Sequence, residues 1–391
     1  MLAALAAALD GSGPAVLPLD PALPPAALGM MLDALGPTEL LTVGGTTAIS
    51  GGSGVADETA VVIATSGSTG VPKGVELGAS ALTASASASL ARIGAQPGER
   101  WLCCLPTFHI AGLGVLVRSL LIGTDPVIAP SADAMAGCAH VSLVPTQLRR
   151  LIDAGRRPVG LKTVLLGGAA AAADLLAEAR AAGWPIVTTY GMSETSGGCV
   201  YDGVPLEGVS AVPDREGRIV ISGPVLFSGY RRQPDLTRLA LTGGSFRTAD
   251  LGSLAPDGRL VIRGRADDVI NTGGEKVVPG EVEAVLGTSP QVADVVVIGV
   301  PDAEWGEQVT AFVVPADPAQ PPDLDHLRSI VRQALSAHAA PRKVLVMPVF
   351  PQLPSGKPDR AALRESALHD ARQQEAGQRQ REGQRPDLGA Q

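Results

Sequence analysis

Aromatic side chains make up only 3% of the 391 residues, so the core must be built from Ala, Val and Leu instead of rings. Positive charge is in deficit as well: the formal net charge is −8 and the isoelectric point lies near 5.2. That balance excludes a broad nucleic-acid surface, which needs a basic face to neutralise phosphates. A small anionic ligand stays compatible, because one cation and a few backbone amides suffice for it. The four cysteines, Cys103, Cys104, Cys138 and Cys199, form no CxxC pair, and the five histidines have no HxxxH spacing. Both absences argue against structural zinc and leave reduced thiols in a cytoplasmic chain as the expectation. No apolar run approaches the ~20 residues of a membrane span. The apolar start carries no basic flank and is broken by Asp10, which disfavours a secretory signal.

What is present is length and punctuation. A chain of 391 residues is long enough for a large domain plus a smaller one, and 47 glycines and 32 prolines imply many turns. The run AVVIA at 60–64 predicts a buried strand, and Ser80 is placed to cap a helix over 81–93. Strands at 164–166 and 185–188 flank a helix over 171–182, an alternation that predicts βαβ units and a largely parallel sheet. From about Arg218, short strands and tight turns predict a small antiparallel region. Beyond Arg265, strands at 295–300, 309–314 and 343–346 and helices over 280–286 and 324–335 predict a compact α+β unit. The fold class is therefore α/β, with a large domain over 1–264 and a small α+β domain over 265–369, which the resemblance described below implies is mobile. Residues 370–391, rich in Gln, Arg, Glu and Gly, are expected to be a disordered tail.

The segment TSGSTGVPKG at 65–74 is the most informative. Its glycines let backbone amides turn toward an anion, its hydroxyls add donors and Lys73 adds full charge. It follows a predicted strand and precedes a predicted helix, where phosphates commonly bind. It is not a Walker A loop, which ends in Gly-Lys-Ser/Thr.

This series resembles the phosphate loop of the adenylate-forming superfamily of acyl–CoA synthetases, peptide-synthetase adenylation domains and luciferases. The superfamily's other elements follow in order. PTFHIAGL at 106–113 resembles its acyl-pocket segment and GGA at 167–169 its adenine-side turn. YGMSET at 190–195, FRTAD at 246–250, GRADDVI at 264–270 and LPSGKPDR at 353–360 resemble its remaining signatures. Ala249 replaces the usual glycine of the [FY]-x-T-G-D element.

The resemblance implies roles. Ser66, Ser68, Thr69 and Lys73 would contact the phosphates of ATP, with Gly168, Ala169 and Tyr190 beside adenine. Ser193 would reach phosphate, Glu194 would hold Mg²⁺, and Asp250 and Arg265 would bind ribose. Asp267 would be the hinge, and Lys357 with Lys73 would stabilise charge as the carboxylate attacks. No GxSxG nucleophile elbow occurs, consistent with chemistry that needs no protein nucleophile.

The abbreviated start before the loop, and the tracts at 81–90, 109–119 and 189–209, are similar to the compact o-succinylbenzoate–CoA ligases of menaquinone biosynthesis. That acid keeps a second carboxylate ionised in the complex, which needs a cation or several donors. Arg118 is the candidate cation, with His109, Gly191, Ser196 and Gly197 lining the acyl pocket; a structural ion pair is the competing reading of Arg118. The implied partners are a small carboxylic acid, ATP and CoA, and a homodimer is compatible. Another aryl- or acyl–CoA ligase, or a stand-alone domain loading a carrier protein, would carry the same motifs. A non-catalytic nucleotide-binding paralogue is disfavoured because Lys73, Glu194, Asp250, Arg265 and Lys357 are all present.

Overall fold

The computed structural model describes residues 1–65, 72–352 and 358–382. The chain divides into two compact units. One comprises Met1–Ala171 with Leu175–Ile262, and the other Ala172–Asp174 with Arg263–Gln391.

The first unit is organised on a sheet of seven strands among the described residues. Trp101–Cys103, Val127–Ile128, His140–Leu143, Thr163–Leu166 and Ile186–Met192 run parallel. Gly197–Tyr201 and Val204–Pro205 extend the sheet antiparallel. His140–Leu143 and Thr163–Leu166 are buried along their whole length, as parallel strands covered on both faces must be. Helices Ala79–Ile93 and Ile110–Leu121 close one face, where Trp101, Leu165, Leu82, Leu113 and Leu116 pack together. Leu148 of helix Pro145–Asp153 and Leu175 of helix Ala173–Ala181 meet Leu102, Val141 and Val164 on the other. A separate antiparallel sheet contains Ser210–Pro213, Arg218–Ser222, Leu241–Thr242 and Ser245–Leu254.

Two local expectations change. The phosphate loop does not lead into a helix: strand Thr59–Thr65 pairs antiparallel with strand Lys73–Gly78, from Thr59 opposite Gly78 to Thr65 opposite Lys73. The loop is thus the connection of a hairpin, and Lys73 begins a strand. Helix Ala79–Ile93 starts only after that strand, with Gly78 as its N-cap instead of Ser80. The apolar alternation of KGVELG decides this, since Val75 and Leu77 are both fully buried.

In the second unit, strand Gly306–Pro315 pairs along one edge with Val292–Asp302; its other edge takes Ile270–Thr272, itself paired with Glu275–Val277, at Gly306 and Lys343–Val346 along Thr310–Val313. Val282 and Leu286 of helix Pro279–Leu286, and Leu327 and Val331 of helix Leu324–Ala334, bury one face. Leu363 and Ala367 bury the other against Val296, Ile298 and Phe312. They belong to a helix that runs from Arg360 to Glu382, so the described part of the expected tail is helical, while its residues 383–391 lie outside the described residues. A stretch with little to bury can still be helical: Ala, Gln, Glu and Arg are good helix formers, and the first turns are anchored.

Candidate active site

Several candidate residues of the first unit, Gly167–Ala169 and Tyr190–Glu194, lie at the ends of parallel strands, the usual place for ligands in such sheets. Strand Thr163–Leu166 leads into Gly167 and Gly168, the latter at φ +81°. A methyl group on Gly167 would stand 2.2 Å from Thr189 Oγ1, so only glycine lets the two chains approach this closely. A pocket of about 210 Å³ opens there, lined by Leu166, Ala169, Ala170, Tyr190, Val200 and Leu260 among others. The predicted adenine-side residues Ala169 and Tyr190 therefore share one small, mostly apolar recess suited to a flat ring.

Tyr190 also reaches Asp250. Its phenol donates to Asp250 Oδ2 at 2.8 Å. Burial, followed by the neighbouring carboxylate, pushes the phenol's pKa well above the tyrosine range, so it stays a donor. Asp250 lies in strand Ser245–Leu254, 60 residues further on, and its N–H donates to Thr248 Oγ1 at 3.0 Å.

Two residues beyond the end of strand Ile186–Met192, Glu194 sits in the short turn Ser193–Thr195, with Ser193 at its start. Thr195 Oγ1 accepts from the Met192 N–H at 2.9 Å and lies 2.7 Å from Gly197 O, which shapes the turn. The Phe227 N–H donates to Glu194 O at 2.9 Å, and the Tyr230 phenol donates to Glu194 Oε1 at 2.9 Å. Lys73 Nζ lies 5.8 Å from the centre of the Tyr230 ring. Among the described residues no three His, Cys, Asp or Glu side chains cluster as a metal cage. The Glu194 carboxylate does fit Mg²⁺, which is usually held by one or two carboxylates plus substrate phosphates.

One family match spans most of these residues, and a second falls in the second unit. The sequence matches the AMP-binding enzyme family over residues 52–231 and the AMP-binding enzyme C-terminal domain over residues 281–357. It is 45% identical over 330 residues to a protein of Mycobacterium tuberculosis named "Probable 2-succinylbenzoate--CoA ligase", covering 80% of this chain and 85% of that one. This chain belongs to the AMP-binding enzyme family. Among solved structures, the o-succinylbenzoate CoA synthetase of Bacillus subtilis, in complex with its OSB-AMP acyl-adenylate intermediate, is similar with a TM-score of 0.70. It is 31% identical, with 78% of this chain and 69% of that one covered. ATP-bound MatB of Rhodopseudomonas palustris gives a TM-score of 0.80 at 28% identity, with 91% and 84% covered.

The residues expected on the acyl side lie in the same unit. His109 is the N-cap residue of helix Ile110–Leu121, and its ring packs on Phe108 at 4.7 Å between centres. Gly197 faces that helix start: a methyl group on it would lie 3.8 Å from Ile110 Cγ1. Gly191 pairs with Gly198, and a methyl group on Gly191 would stand 2.0 Å from Gly197 O, so no larger residue fits. Ser196 is hydrogen-bonded within the chain. Its hydroxyl donates to Val225 O at 2.9 Å and its N–H to Ser193 O at 3.1 Å, so both donors are spent inside the chain.

Arg118 is buried, with Cζ 4.4 Å from the Trp101 ring centre and Nη2 3.1 Å from Ser142 Oγ. It makes no ion pair with a carboxylate of the described residues, and its Nε has no hydrogen-bond partner. The structural ion pair weighed as an alternative is therefore absent from the described residues. Burial lowers the pKa of the guanidinium, the expected sign for a cation removed from water.

Ser66, Ser68, Thr69 and Lys357 lie outside the described residues. Arg265 and Asp267 belong to the second unit, where Arg265 Nη2 lies 3.2 Å from Asp267 Oδ2. The residues flanking Lys357 are well anchored: Gln352 bridges Pro358, and the Arg360 guanidinium donates to Val297 O and Glu283 Oε1, both at 2.7 Å. Tyr230 and Phe227 were not anticipated from the sequence. A signal did exist, since the chain has only three tyrosines. The hydroxyls of all three, Tyr190, Tyr201 and Tyr230, make side-chain hydrogen bonds.

Proposed function

We propose that this chain activates o-succinylbenzoate with ATP to its acyl-adenylate and transfers the acyl group to CoA, giving o-succinylbenzoyl-CoA, AMP and pyrophosphate. The observation that carries the reading is one strand end serving both halves of a nucleotide. Tyr190, tied to Asp250, offers a nucleoside face, and Glu194, four residues on, accepts from Tyr230, whose ring centre lies 5.8 Å from Lys73 Nζ. The choice of acid rests on the relatives' names and on Arg118, a buried cation whose charge no carboxylate of the described residues neutralises. A carboxylate in the bound acid would supply that counter-charge.

In the first step a carboxylate oxygen of the acid attacks the α-phosphorus, and the bond to the bridging oxygen breaks with pyrophosphate leaving. Asp250 accepts from the ribose hydroxyls, as a carboxylate with two acceptor oxygens can. Lys73 and Lys357 stabilise charge on the phosphoryl oxygens. Mg²⁺, when bound at Glu194 and the phosphates, supplies further positive charge there. In the second step the CoA sulfur attacks the acyl carbon, AMP leaves and the thiol proton passes to solvent. Arg265 contacts ribose, and Asp267 serves as the pivot between an adenylation domain over 1–264 and a mobile domain over 265–369. Buried, unpaired thiols agree with a cytoplasmic location. A homodimer and a free CoA acceptor complete the reading.

Pyrophosphate release with ATP, Mg²⁺ and o-succinylbenzoate, with and without CoA, is the test, run against benzoate, 4-coumarate and octanoate. Selective turnover to the o-succinylbenzoyl thioester, lost in Lys357→Ala, is expected. Turnover of a different acid would replace the substrate and keep the ligase. Adenylate formation without thioester to free CoA would point to a carrier-protein acceptor.

A further inference from the structure

We infer that Tyr230 is a positioning residue that ties the carboxylate of Glu194 to the phosphate-loop hairpin and sets its geometry for a divalent cation. The inference rests on the reading of Glu194 as the Mg²⁺ ligand and extends it to a residue 36 positions away.

Residues 227–231 form a strap between the two motifs. On one side the strap joins the hairpin: Gly229 pairs with Glu76, Tyr230 with Val75, and the Arg231 N–H donates to Gly74 O at 2.8 Å. On the other side it grips Glu194 twice, by the Phe227 N–H on the backbone carbonyl and by the Tyr230 phenol on Oε1. The strap itself is held. The Tyr230 ring meets Phe227 edge-on at 4.9 Å, Phe227 meets Phe246 at 5.2 Å, and the Tyr230 N–H donates to Thr237 Oγ1 at 2.8 Å. A methyl group on Gly229 would stand 2.9 Å from Thr237 Cγ2, so the strap and helix Pro234–Ala240 are in close contact.

The chemistry of the donor matters. A glutamate has three rotatable side-chain bonds, and one fixed hydrogen bond removes much of that freedom before a cation arrives. A phenol does this without neutralising the carboxylate, whereas Lys or Arg at the same place would compete with the metal for its charge. Oε1 keeps a second lone pair and Oε2 stays outside this bond, so acceptor capacity for a cation is retained. The ring of the same residue lies within cation–π range of Lys73, so one side chain touches both charges that handle the phosphates.

The test is Mn²⁺ titration followed by electron paramagnetic resonance, on the full chain with a non-hydrolysable ATP analogue. Tyr230→Phe keeps the ring and removes only the phenol. It is expected to weaken Mn²⁺ on the order of tenfold, as loss of an outer-shell partner does. Metal-free analogue affinity and melting temperature should change little. Glu194→Gln should weaken Mn²⁺ at least as much, and the double variant no more than Glu194→Gln alone. Wild-type Mn²⁺ affinity in Tyr230→Phe would overturn the inference, as would an equal loss of metal-free nucleotide binding, which marks a merely structural role. If Glu194→Gln leaves Mn²⁺ binding intact, the assignment of Glu194 itself falls, and this inference with it.

Discussion

Arg118 rests on Trp101 and Ser142 with no carboxylate of the described residues paired to it, and the proposed function gives it the second carboxylate of the acid as counter-charge. Arg118→Met keeps the bulk and removes the charge. Truncating one partner of a buried charge pair costs at least about 2 kcal/mol, so turnover of o-succinylbenzoate should fall about 30-fold or more. A monocarboxylic acid should suffer far less, and steady-state kinetics on both acids would check the contrast; an equal loss would make Arg118 structural. Glu99 gives a pH prediction. The Lys162 ammonium and then the Gln96 N–H hold its carboxyl at about 2, below the ordinary value of 4.5. Its folded-state pKa is depressed, so its contribution to stability is present above about 4.5 and lost as pH falls toward about 2. Lys162→Met should flatten that loss, read as a smaller difference between urea midpoints at pH 3 and pH 7.

At the scale of elements, Arg231 fastens the N-terminal segment to the hairpin. Its guanidinium donates to the carbonyls of Leu35, Gly36, Ser53 and Gly54 and to Glu76 Oε1. Arg231→Ala strands several of these acceptors, at about 1–3 kcal/mol for each one left buried and unsatisfied. A drop in unfolding free energy of about 3 kcal/mol is expected, with faster proteolysis within residues 36–54. Such a residue is hard to find in a sequence, because its partners lie up to 196 positions away. Tyr190, Glu194 and Asp250 are the opposite case: each stands in a short contiguous motif, so it can be singled out as a candidate without knowledge of remote partners. The structure following the phosphate loop was misplaced: a helix was expected and strand Lys73–Gly78 comes first. KGVELG reads as an extension of the loop until Val75 and Leu77 are seen buried against the core.

At the scale of the molecule, the two units each have their own core, and the division falls at Ile262 and Arg263, beside the 264/265 boundary expected from the motif pattern. A mobile C-terminal domain predicts preferential tryptic or chymotryptic cleavage near Gly264–Gly274, giving two fragments that remain separately soluble. Cleavage only elsewhere would count against a pivot at Asp267. The helix Arg360–Glu382 belongs to this scale as well, since Leu363 and Ala367 gain their anchor only once Phe312 and Ile298 form a face to receive them.

The sequence alone determined the family, the order of the motifs and the reaction class, because each motif is a local pattern of donors, charges and glycines that carries its chemistry wherever it folds. Only the tertiary structure decided that the phosphate loop closes a hairpin, that Arg118 is a buried cation without a carboxylate partner among the described residues, and that Tyr230 holds Glu194. These are contacts between residues remote in the chain, and their energies come from burial and from partners that periodicity and spacing do not encode.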